Sequence, residues 1–216
     1  MNDKPAAQFN RHTWISVAVF GAIIALSGIT HGIFEIMQGN KLTETFIIQS
    51  IAPEHQRWLN GEEAFTVLHN FLVTGIGAVL LSLVIIYWSL TQMKKPIGPP
   101  IFIMLYVLLT LVGGGIAHVL FFFPVWLFSR MIRKELSWRT NNPSSRWNKL
   151  MSEAWLPMMI LSCILFISAT IISFSGIKGS PDENISVVIY SSLLAALVLL
   201  NLSFLAALTR DIPSKS

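Results

Sequence analysis

Charge is scarce in this chain. Of its 216 residues 12% are Asp, Glu, Lys or Arg and 53% are hydrophobic, whereas an average soluble domain is about 25% charged. That balance excludes intrinsic disorder and an ordinary soluble domain. Cysteine is nearly absent: Cys163 stands alone, which excludes a disulfide framework. Low-complexity tracts, long linkers and internal repeats are missing too, so the whole of 1–216 reads as one domain without the two-fold repeat of many transporters. Known metal and protease signatures are also lacking. There is no His-Glu-x-x-His, no Cys-x-x-Cys-His and no intramembrane Asp pair.

Long apolar runs are abundant. A helix needs roughly 20 mostly apolar residues to cross a bilayer. Five segments satisfy this, at about 14–37, 64–90, 101–129, 155–177 and 185–208. None has Lys, Arg or Asp in its interior. Backbone groups in lipid must bond internally, and runs such as Val79 to Ile86 do not alternate as a barrel strand would. The expected fold is an all-α, polytopic integral membrane bundle of five transmembrane helices. The first run is longer than a signal-peptide core, so it reads as a retained helix.

The basic residues predict orientation. With five spans, the N-terminus and the second and fourth loops share one side, holding Lys4, Arg11, Lys94, Lys95 and Lys178. The opposite side holds Lys41, Arg57, Arg210, Lys215 and the third loop's Arg130, Arg133, Lys134, Arg139, Arg146 and Lys149. The heavier side belongs in the cytoplasm, giving an outer N-terminus and a cytoplasmic C-terminus in a bacterial or archaeal plasma membrane. The basic 130–149 loop also carries Trp138 and Trp147, between Trp126 and Trp155. It reads as an interfacial segment meeting anionic lipid headgroups, not nucleic acid. Asn142-Pro143-Ser144-Ser145 marks a break within it.

The first loop, Gly39 to Gly61, has an apolar patch from Thr45 to Ile51. It reads as a headgroup-level anchor, or as a short interfacial helix or lid. His55, Glu54, Glu62 and Glu63 read as solvated loop residues. The fourth and fifth spans carry Ser and Thr but no charge, as scaffold or homo-oligomer contacts would.

Ionisable residues inside a span are costly and mark functional sites. Four stand out: His31 and Glu35 in the first span, His69 in the second and His118 in the third. Ser27, His31, Glu35 and Gln38 recur every three or four residues, on one helical face. In the second helix Glu62, Thr66, His69 and Asn70 form a similar stripe, continued by Thr74 and Gly77. The run Gly113-Gly114-Gly115 beside His118 admits a close neighbour. Helix rise puts the three histidines within about 6 Å of one depth, in the inner leaflet.

Imidazoles with a carboxylate suit a transition metal such as Zn, Cu or Fe. His31, His69 and His118 are the candidate ligands. Glu35 is the candidate catalytic group, for hydrolytic or redox chemistry. Two histidines on different helices could instead hold a b-type haem. Without metal, the same groups suit a proton relay in a proton-coupled transporter or permease. A structural or assembly protein is the third class.

Overall fold

The computed structural model describes residues 9–136 and 146–212. Lys4, Trp138, Arg139, the 142–145 break and Lys215 lie outside them. Six helices and one short hairpin make up the described chain, in the order α1 Arg11–Gln38, β1 Ile47–Ile51, β2 Glu62–Phe65, α2 Phe71–Thr91, α3 Gly98–Leu111, α4 His118–Ser129, α5 Arg146–Ser175 and α6 Asp182–Arg210.

Small residues draw the first two helices together. A Cβ on Gly32 would stand 2.6 Å from the Gly75 carbonyl, and one on Gly28 would stand 2.4 Å from Ser82 Oγ. Larger side chains there would hold α1 and α2 apart, so glycine sets the closeness of this antiparallel pair. The apolar window of α1 is 50% buried, against 22% in α5 and in α6. The first helix is therefore central. The outward faces of the others expose Leu80, Leu83, Ile164, Ile171, Val187 and Leu194. In water that much apolar surface would be a liability; against lipid it is solvated.

The helix N-termini show how the ends are tied. Asn70 caps α2 by accepting from Val73 N at 3.2 Å. The start of α1 has no local cap. Instead Asp211, just past α6, accepts from His12 N and Thr13 N, both at 2.9 Å. A carboxylate there satisfies free amides and meets the positive end of the helix dipole.

Two sequence expectations need correction. The five-span bundle is overturned: four helices, α1, α2, α5 and α6, are long and apolar enough to cross a membrane. The expected third span is two short helices, α3 and α4, meeting at residues 112–117. Its glycines are the cause. Gly113 and Gly115 adopt φ of 93° and 90°, which costs other residues steric strain. The backbone groups freed by the break are taken up by the hairpin. Gly113 N donates to Phe65 O and Val67 N to Leu111 O, both at 2.9 Å. Broken helix at membrane depth is tolerated when protein supplies such partners.

The expected second span also starts late. Residues from Ala64 to Asn70 are strand and turn, and α2 begins at Phe71. The apolar patch of the first loop is strand β1, paired antiparallel with β2. A 3-10 turn, Arg57–Leu59, links them. It is held to the last two helices by Gln56 Nε2 to Ser173 Oγ (3.0 Å) and Arg57 to Asp182 (2.7 Å).

With α3 and α4 forming a returning pair, the start of α1 and the end of α6 meet. His12 and Asp211 lie 2.8 Å apart. The start of α1 and the end of α6 therefore lie at one end of the molecule.

Candidate functional site

Helix α1 carries its polar stripe to its far end, where the hairpin folds over it. His31 is 1% exposed. Its Nδ1 is 2.9 Å from Ser50 Oγ, and its Nε2 is 2.8 Å from Glu62 Oε2. Ser50 Oγ in turn lies 2.6 Å from Glu35 Oε1. The result is a continuous chain, Glu35–Ser50–His31–Glu62. Its two inner groups belong to β1 and α1, and its ends to α1 and β2. Glu35 is fully buried, and its Oε2 has no hydrogen-bond partner among the described residues.

His118 is the first residue of α4. Its ring meets the His31 ring edge to face, with centroids 5.2 Å apart. Its Nε2 bonds Ser27 Oγ, and its Nδ1 is 3.4 Å from the Gly115 carbonyl. Glycine makes the approach feasible. A Cβ on Gly115 would lie 2.7 Å from both His118 Nδ1 and His31 Nε2, and one on Gly113 would lie 2.5 Å from both Glu35 oxygens. The glycine break therefore delivers His118 and closes over Glu35.

Access comes from the side of the hairpin. Ser27, Glu62 and His118 line a cavity of about 60 Å³ with Phe121, Phe166 and Leu193. Leu59, Glu62, Ala117 and Leu193 are shared with an outer groove of about 440 Å³ that reaches Gln49, Glu63 and Tyr190. The side chain of Glu62 is 27% exposed and stands between the two. Burial raises its carboxyl, but the His31 hydrogen bond, the His31 and His118 charges and a Gln56 hydrogen bond outweigh that, leaving it below the usual range near 4.5.

The three predicted histidines are not brought together. His31 and His118 meet, with Glu35 one hydroxyl away. His69 is exposed in the turn before α2, its ring 5.2 Å from Phe46. The stripe that would have carried it inward required helix, and Glu62 to Phe65 is strand. Among the described residues no group of three or more His, Cys, Asp and Glu side chains is placed to hold a metal ion. The proposed Zn, Cu or Fe set is thus not assembled. A b-type haem does not fit either, because the two rings in edge contact leave no gap for a macrocycle. Ser50 was not expected as a site residue, and Glu62 was expected on a helical stripe or in a solvated loop. The sequence signal for Ser50 was the β-branched run Ile47-Ile48 ahead of it, which favours strand.

The site stands at the end of α1 remote from Arg11. Comparison with family models, with curated proteins and with solved structures gives no match for this chain.

Proposed function

We propose that this multi-pass membrane protein performs acid–base chemistry at a histidine-centred proton relay, open to a small molecule from the outer groove. The chain Glu35–Ser50–His31–Glu62 carries the reading. Three protons suffice to fill it, and three arrangements use them. In one, His31 is an imidazolium between two carboxylates. In the second, the Nε2 proton has passed to Glu62. In the third, the Nδ1 proton has passed to Ser50, whose own proton has passed to Glu35. Only hydrogens move between these states, along bonds already made. Imidazole suits the central place because each ring nitrogen can give or take a proton near neutral pH. The low-lying Glu62 favours the states in which the groove end is ionised and ready to accept.

Beneath the site, apolar side chains such as Ile24, Leu109, Phe121, Phe122 and Val125 dominate the buried interior, with the hydroxyls of Ser82, Ser89 and Tyr106 among them. Sidedness follows from charge. Arg11, Lys94, Lys95, Arg130, Arg133, Lys134, Arg146, Lys149 and Arg210 gather at the end where the start of α1 meets the end of α6. Among the described residues, Lys41, Arg57 and Lys178 stand at the other end, among Glu44, Glu54, Glu62, Glu63, Asp182 and Glu183. Positive residues mark the cytoplasm, so both ends of the described chain are cytoplasmic and the site faces outward.

Infrared difference spectra across a pH titration test the relay. A protonated-carboxyl band should change with pH, lose intensity in Glu35→Gln or Glu62→Gln, and become pH-independent in His31→Gln. An unchanged titration in His31→Gln would end the proposal.

A second, hydrolytic reading rests on Ser27 and His118. A hydroxyl bonded to imidazole at a cavity wall is the arrangement of an activated nucleophile. Labelling of Ser27 by a fluorophosphonate, lost in His118→Ala, is its expected signature.

A further inference from the structure

At the basic end of the molecule a second depression has a different chemistry. It measures about 310 Å³ and lies between the α2–α3 turn and the end of α4. Lys95, Arg130 and Arg133 line it, and no carboxylate does. Among the described residues none of these three cations forms an ion pair. Arg133 is steered by a 3.1 Å bond from its Nη1 to the Lys94 carbonyl. Arg130 stands 5.7 Å from the Trp126 ring. The remaining wall is apolar, with Pro96, Pro100 and Ile132.

Three cations held around one hollow repel one another unless an anion joins them. Two of them are guanidinium groups, whose forked donors match phosphate oxygens. Position selects the kind of phosphate. The groove sits where the apolar faces of α3 and α4 run out, beside exposed Ile97 and Leu127. A lipid there could set its phosphate among the cations and its glycerol against the prolines, with its chains still in the bilayer. We infer that this groove binds the phosphate of an anionic membrane lipid, and that Lys95, Arg130 and Arg133 are its ligands. Basic pockets between helices at the cytoplasmic face suit such headgroups.

Native mass spectrometry of the full chain, released from detergent and titrated with phosphatidylglycerol or phosphatidylcholine, tests this. The expected result is a preference for phosphatidylglycerol of at least about tenfold. It should fall to near parity in Lys95→Gln/Arg130→Gln/Arg133→Gln. A control triple outside the groove, Arg11→Gln/Arg146→Gln/Lys149→Gln, should keep it. Arg130→Gln alone, which leaves the Arg133–Lys94 bond in place, should lose part of it if the larger variant fails to fold. Equal loss in the control triple would reduce the effect to general surface charge and overturn the site. Displacement of the lipid by millimolar inorganic phosphate would overturn the lipid assignment.

Discussion

Gly115 shows how tightly single positions constrain the site. Its φ of 90° already disfavours any side chain, and a Cβ there would press on both histidine rings. Gly39 shares the strain, with φ of 83°, but nothing lies within 4 Å of its missing Cβ. Gly39→Ala should therefore cost about 1–2 kcal/mol, from backbone strain alone. Gly115→Ala should cost visibly more, because it also separates His31 from His118. Paired melting curves in detergent check the difference, and equal shifts would refute the contact argument. Glu62 makes a second prediction at this scale. Its carboxyl titrates below the usual range in the folded protein. The unfolded chain therefore takes up the proton first as pH falls. The stability Glu62 contributes is present above about pH 4.5 and is lost as pH drops through its lower, folded value. Melting temperature should decline in that acid window, and Glu62→Gln should flatten the decline.

Among the elements, the long apolar helices were legible in the sequence and the broken one was not. Hydropathy counts residues able to sit in lipid, and 101–129 passes that count throughout. It does not register that three consecutive glycines relieve the backbone of its helical preference, nor that a strand edge waits to receive the freed amides. The late start of α2 has the same origin. Ala64 to Asn70 is apolar enough to extend a span, but Phe65, Thr66 and Val67 bond to other segments. Part of the candidate site was therefore readable. His31, Glu35 and Ser27 share one helical face, and His118 lies beside the glycines, in contact with His31. Ser50 and Glu62 come from a hairpin whose pairing is long-range, and His69 was drawn in by a helical period that does not exist there. The returning α3–α4 pair predicts its own labelling pattern. Ile116, 42% exposed at its tip, lines the outer groove. Ile116→Cys, in a Cys163→Ser background, should react with a membrane-impermeant maleimide added outside cells. Protection there would restore a continuous helix through the bilayer.

For the molecule as a whole, charge and connectivity point the same way. Its basic end collects the start of α1, the end of α6, the α2–α3 turn and the basic groove; its acidic end collects the hairpin and the relay. Two helical hairpins, α1–α2 and α5–α6, flank the returning pair. The first and last helices are joined through Asp211, which accepts from the backbone and the side chains of His12 and Thr13. Asp211→Ala should lower stability by about 0.5–2 kcal/mol, the usual worth of a helix cap. Thermal unfolding in detergent checks it, and an unchanged midpoint would show the contact to be idle. This contact also orders events in time. The amides opening the first helix leave the ribosome early, yet their acceptor is synthesised some two hundred residues later. Until then the first helix waits with its end uncovered, so the bundle can lock only after α6 has been made.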